Sequence, residues 1–156
     1  FQKVAGAVNK VVVAAMKDSI SEPGLYFFPG LDMKNASDAD QKAWETKYLA
    51  GPTGLLIYQP TGAQPMSPRQ LATELLSDVA AALVAAFLIS HVAAPFFRKV
   101  LIVGLLGPFA WLVISASQWN WYRFPGAFVA AEAIEQVVSW VLCGVALALL
   151  VKEKRP

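Results

Sequence analysis

From residue 71 onward the chain is a succession of long apolar runs, broken at prolines and at basic residues. "LATELLSDVAAALVAAFLISHVAAPFF" covers about residues 71–97, "VLIVGLLGPFAWLVISASQWNWY" about 100–122, and "GAFVAAEAIEQVVSWVLCGVALALLV" about 126–151. Each meets the roughly 20 mostly apolar residues that a helix needs to cross a bilayer. The pattern therefore predicts three transmembrane helices. The first opens on "SPRQ", with Ser67 as N-cap, Pro68 at the first helical position and Gln70 at the third, a capping-box start. It should stop at Pro95, leaving "PFFRK" as a tight hairpin link. "RFPG" (123–126) separates the second run from the third.

Polar and small residues interrupt these runs at helical spacing, where positions i, i+3, i+4 and i+7 share a face. On the third helix Glu132, Glu135, Gln136, Ser139, Cys143 and Ala146 form one stripe, opposite Val137, Val141, Val145 and Ala148. On the second the stripe is Gly104, Gly107, Pro108, Trp111, Ser115 and Gln118, with Leu106, Phe109, Val113 and Ala116 facing away. On the first it is Glu74, Ser77, Asp78, Ala81, Ala82 and Ala85. In lipid, small residues let backbones approach and polar groups seek other protein. The stripes are expected to meet each other, or an equivalent surface on a partner chain. Pro108 removes the hydrogen bond to Gly104 and should bend the second helix.

Before residue 70 the pattern changes. "VAGAVNKVVVAAMKDSI" predicts a helix over roughly 4–19, with Val4, Val8, Val11, Val12 and Ala15 on one face. "LYFF" (25–28) and "GLLIYQP" (54–60) read as strands bounded by proline and glycine. Between them "SDADQKAWETKYLAG" predicts a helix with Ser37 as N-cap, Trp44 and Tyr48 one turn apart, and a stop at Gly51. The order helix, strand, helix, strand favours parallel pairing with a right-handed crossover, with antiparallel pairing open to links of this length. About 60 residues bury little core, so this part should lean on the membrane helices or on another chain. Its aromatics (Tyr26, Phe27, Phe28, Trp44, Tyr48, Tyr58) are expected to pack together, the alternative being a ligand cleft. The fold class expected is thus a mainly α membrane protein, residues 68–156 forming a three-helix transmembrane bundle and residues 1–67 a small α+β domain.

Charge adds orientation. The chain has 156 residues, 56% hydrophobic and 15% charged, against about a quarter charged in soluble domains. Arg98 and Lys99 lie in the first link, and Lys152, Lys154 and Arg155 in the tail, while the second link has only Arg123. The positive-inside rule puts the first link and the C-terminus in the cytoplasm and residues 1–67 outside. Trp119, Trp121 and Tyr122 then fit an outer aromatic belt. The net charge of +2 is too small to suggest nucleic acid.

Candidate chemistry is sparse. Glu74, Asp78, Gln118, Glu132 and Glu135 should all fall in the outer third of the bundle, as a candidate ligand or ion site. The bland alternative is that they bond to a helix end, to water or to the outer domain. The Glu-x-x-Glu spacing is half of a di-metal carboxylate pattern, but the Glu-x-x-His motifs such a site needs are missing, and no metal site is expected. His91, the one histidine, is either a pigment or haem ligand or an interfacial residue near "FFRK". Cys143, the one cysteine, reads as a small buried residue. No nucleophilic triad, zinc-protease or phosphate-loop motif occurs, so no enzyme activity is expected and no cofactor is required.

"GLYFFPG", followed by "GPTGLLIYQP" and a three-span hydrophobic tail, resembles a group of small uncharacterised bacterial multi-pass membrane proteins over most of the chain. That resemblance implies a further transmembrane helix before Phe1, hence four spans, and a bacterial inner-membrane location; it brings no activity. A processed signal peptide is the other expectation for a chain whose first residue is Phe1. The leading functional expectation is an accessory or structural subunit of a larger bacterial membrane complex, partnered by lipid and by other subunits or a second copy. A small transporter or ion-binding protein using the outer acidic residues, and a pigment or haem carrier using His91, are the alternatives.

Overall fold

The computed structural model describes residues 10–151. They divide into two compact units between Ala63 and Gln64. In chain order the elements are α1 (Lys10–Ser19), β1 (Gly24–Phe28), α2 (Asp38–Ala50), β2 (Gly54–Tyr58), α3 (Pro68–Ser90), α4 (Phe96–Gly104), α5 (Leu106–Val113), α6 (Ser115–Tyr122) and α7 (Gly126–Leu150). The protein is mainly helical. Three stretches, 68–90, 96–122 and 126–150, are long and apolar enough to cross a membrane. The expected helix over 4–19 is present from Lys10; its start lies outside the described residues.

In the first unit β1 and β2 pair antiparallel, with Leu25 opposite Ile57, Tyr26 opposite Leu56 and Phe27 opposite Leu55. The parallel pairing favoured by the strand–helix–strand order is therefore corrected. α2 is not a crossover helix within a larger parallel sheet, and its flanking loops are long enough to reverse the chain. α2 begins at the predicted cap: the Asp40 amide donates to Ser37 Oγ (3.3 Å), and the Ser37 amide returns a bond to Asp40 Oδ2 (3.0 Å). The Trp44 indole N–H donates to the Pro29 carbonyl (2.8 Å), fastening α2 to the end of β1. Trp44 and Tyr48 stack with ring centroids 5.1 Å apart. On the sheet, the Tyr26 ring covers Gly24 and the Phe28 ring covers Gly54, each aromatic filling space that a glycine leaves open. Tyr26, Trp44, Tyr48 and Tyr58 are half-buried, while Phe27 (53%) and Phe28 (43%) are exposed.

In the second unit α3 starts as predicted, the Gln70 amide donating to Ser67 Oγ (3.3 Å) and the Ser67 amide to Gln70 Oε1 (2.8 Å). It ends at Ser90 rather than at Pro95. The cause is local: Ser90 Oγ–H and His91 Nδ1 both bond the Phe87 carbonyl at 2.8 Å, and the His91 amide turns to Leu88 (3.3 Å). Side chains here compete with the helical ladder. The link is therefore 91–95, and Arg98 and Lys99 belong to the first turn of α4.

The second span is broken twice, at Leu105 and Ile114. The first break is the bend expected from Pro108, which leaves Gly104 without its amide donor. Nothing in the sequence marks the second. The Arg123 backbone enters the left-handed region (φ 55°) and closes the span just before Pro125. The core lies where α3, α4 and α7 converge: Ala85, Ile89 and Val103 are buried, with Trp140, Cys143 and Leu147 packed against them.

Candidate functional site: polar positions on the apolar helices

The closest helix contact is between α4–α5 and α7, and glycines set it. A Cβ at Gly107 would collide with the Gln136 backbone carbonyl, and one at Gly144 would stand 2.9 Å from the Val100 carbonyl oxygen. Backbones approach this closely only where side chains are absent. Trp111 adds a hydrogen bond across the same seam, its indole N–H donating to the Val129 carbonyl at 2.9 Å. The stripe predicted for the second span faces this seam: Gly104, Gly107 and Ser115 are buried, and Pro108, Trp111 and Gln118 are half-buried. Leu106, expected to face away, is also half-buried and packs on the core.

On α7 the protein-facing stripe is rotated from the predicted one. Val129 and Gly144 are buried, and Glu132, Gln136, Trp140, Cys143 and Leu147 are half-buried. These positions recur at three- and four-residue steps. Glu135, Ser139 and Ala146 are exposed. Glu132 thus lies at the edge of the packed stripe, and Glu135, one step of three residues on, lies outside it. Val141, assigned to the far face, instead reaches Gly104, where an added Cβ would meet its Cγ2 at 3.2 Å. Size, rather than polarity, selects the packed face. Ser139 is polar but the backbone approaches at Gly144.

Glu132 is the seventh residue of α7, roughly 9 Å along the helix from its start. One of its carboxylate oxygens, Oε2, is buried with no hydrogen-bond partner among the described residues. A buried polar atom left in this state carries a desolvation cost. Its neighbour one turn on, Gln136, accepts from the Trp140 indole N–H at 3.2 Å, so that amide oxygen is already engaged.

The carboxylates of α3 are placed differently. Glu74, Ser77, Asp78 and Ala81 are exposed, as is every residue of α3 from Pro68 to Ala81. Ala82 is the first half-buried residue of α3, and beyond it Ala85 and Ile89 are each 1% exposed. α3 therefore meets the other helices by its second half alone. Of the candidate residues, Glu74, Asp78 and Glu135 are exposed, and Gln118 and Glu132 are half-buried. No three His, Cys, Asp or Glu among the described residues form a group able to hold a metal ion.

His91 is exposed at the C-terminal cap of α3. Its Nδ1 stands 2.8 Å from the Phe87 carbonyl, which can only accept. Nδ1 thus carries a hydrogen, which leaves Nε2 as the ring nitrogen open to a ligand role. Lys99 is a position that sequence reasoning did not single out for packing. It is 6% exposed, and its ammonium donates to the Val151 carbonyl at 3.4 Å, at the C-terminal end of α7, where a cation complements the helix dipole. Its place in the first turn of an apolar helix was the available signal. Compared with family models, curated proteins and solved structures, the chain has no match.

Proposed function

We propose that the chain is a bacterial inner-membrane protein working as an accessory or structural subunit of a larger membrane complex. In this reading residues 1–67 are extracytoplasmic and the C-terminus is cytoplasmic, as the basic residues suggest. The observation that carries it is the exposure of Glu74, Asp78 and Glu135 within stretches long enough to span a bilayer. A carboxylate facing hydrocarbon costs about 2.5–3.5 kcal/mol at mid-depth and less toward the interface. Protein from another subunit or a second copy would remove that cost, and Ser77, Ala81 and Ser139 on the same exposed sides would let its backbone approach. The test is the native mass of the chain purified in mild detergent. Stoichiometric partners are expected, and they should be lost on Glu135→Leu or Asp78→Leu. A homogeneous monomer in both wild type and variants would end this reading.

The unpaired Glu132 oxygen favours a second reading, an ion- or ligand-binding membrane protein. Glu132→Gln should then abolish a cation- or proton-binding signal seen in the wild type. An unchanged signal rejects it.

A further inference from the structure

Among the described residues of the first unit none is buried, so its apolar surface has little cover. That surface is not evenly spread. Along the antiparallel register, side chains alternate between faces. Leu25, Phe27, Leu55 and Ile57 share one face, because Leu25 is opposite Ile57 and Phe27 opposite Leu55. Leu25, Phe27 and Ile57 are 56%, 53% and 75% exposed. Continuing the alternation by one step adds Pro23 before β1 and Thr53 and Gln59 at the two ends of β2. No position on this face carries a charge. Leu55 is half-buried, as are Tyr26, Leu56 and Tyr58 on the alternate face, where Phe28 is 43% exposed.

An apolar, charge-free face needs an apolar occupant. Nine residues, 59–67, link β2 to the first turn of α3, and a chain of that length spans at most about 35 Å. α3 is itself a candidate membrane span. A bilayer crossed by α3 is therefore always within reach of the sheet, at the high effective concentration that a short tether provides. The phosphate-rich headgroup layer would accept the polar ends, and the side chains would enter the acyl boundary beneath it.

We propose that this sheet face docks on the lipid surface beside the first span, with Leu25, Phe27 and Ile57 as shallow anchors. The proposal rests on the membrane placement of α3, not on the existence of partner subunits. The experiment uses the full chain with Cys143→Ser, an environment-sensitive fluorophore on Ile57→Cys, and nanodiscs of phosphatidylethanolamine and phosphatidylglycerol. Blue-shifted emission, lost when shallow spin-labelled lipid is included, is expected; Phe27→Cys should behave alike, and Glu45→Cys on α2 should not. A water-like spectrum at both sheet positions overturns the proposal. So does a shielded fluorophore that shallow spin labels leave bright, since protein would then be the occupant. A fluorophore on Leu83→Cys, quenched by deep spin labels, checks the span separately: quenching there with none on the sheet rejects the docking alone.

Discussion

Two regions of the second unit have the same apolar character and different packing. The α4–α5 stretch lies against α7 with glycines at the seam, Gly104, Gly107 and Gly144, all buried. The first half of α3 presents exposed alanines and carboxylates, Ala81 and Glu74 among them. Hydropathy reports which solvent a helix prefers, and both regions prefer lipid. It does not report which helices touch. In lipid, association depends on how closely backbones approach, and that depends on residue size at matching heights. α7 supplies the match for α4–α5. In the first turns of α3 the small residues are exposed, so those turns depend on local signals or on another chain.

The largest expected effect tests this contrast directly. Gly107→Leu and Gly144→Leu place a side chain where a backbone carbonyl stands, and either should weaken the helix pair by about 3 kcal/mol, as overpacking does. The same change on α3, Ala81→Leu, should leave the isolated chain's stability unaltered, because the position is exposed. Denaturant titration in detergent micelles measures both. If Ala81→Leu destabilises the monomer as much as Gly107→Leu, the contrast is wrong. If it instead removes a partner from the purified complex, the exposed stripe of α3 is where that partner sits.

Much of the fold was legible in the sequence. The caps at Ser37 and Ser67, the three apolar runs, the bend ahead of Pro108 and the stop at "RFPG" each follow from a backbone rule acting within one turn. What was not legible needed information from elsewhere in the chain. α3 ends at Ser90 because two side chains compete for the Phe87 carbonyl, in a stretch whose composition would have continued a helix. The strands run antiparallel, as a two-stranded sheet among the described residues. On α7 the polar residues predicted the wrong rotation. Glu135 and Ser139 were grouped with Glu132 by polarity, while the packed face follows Gly144 and Trp140, which fit the glycines and backbone of α4–α5.

A smaller effect sharpens the account of the seam. Trp111→Phe keeps the ring and removes the indole N–H that donates to the Val129 carbonyl. The expected loss is about 1 kcal/mol in the same titration, the net worth of one hydrogen bond. No loss would mean that shape alone holds α5 to α7. The corresponding change on α3 acts through its cap. Ser67→Ala should cost about 1 kcal/mol in local helix stability, seen as faster amide exchange at Leu71, whose amide bonds the Ser67 carbonyl. Exchange confined to the first turn is expected. Loss of protection reaching Ile89 would show that α3 unfolds as one piece, tied more tightly to its packed end than its exposure suggests.

The least disruptive test compares the two helix starts built on the same cap. In α2 the third residue is Asp40, and in α3 it is Gln70. Only the first can titrate. The Ser37 hydroxyl, and then the Ser37 backbone N–H, hold the Asp40 carboxyl below its ordinary value of 3.8. A carboxyl lowered in the folded state contributes stability that is fully present above 3.8 and is lost as pH falls through the lowered value. Acid should therefore loosen the start of α2 while the start of α3 keeps its cap. Amide chemical shifts across that window read the difference: the Ser37 amide should move with the Asp40 carboxyl, and the Ser67 amide should stay flat. An Asp40 midpoint at or above 3.8 would remove the cap's claim on α2. Movement of both amides together would mean that acid acts on the protein as a whole rather than on one carboxylate at one helix end.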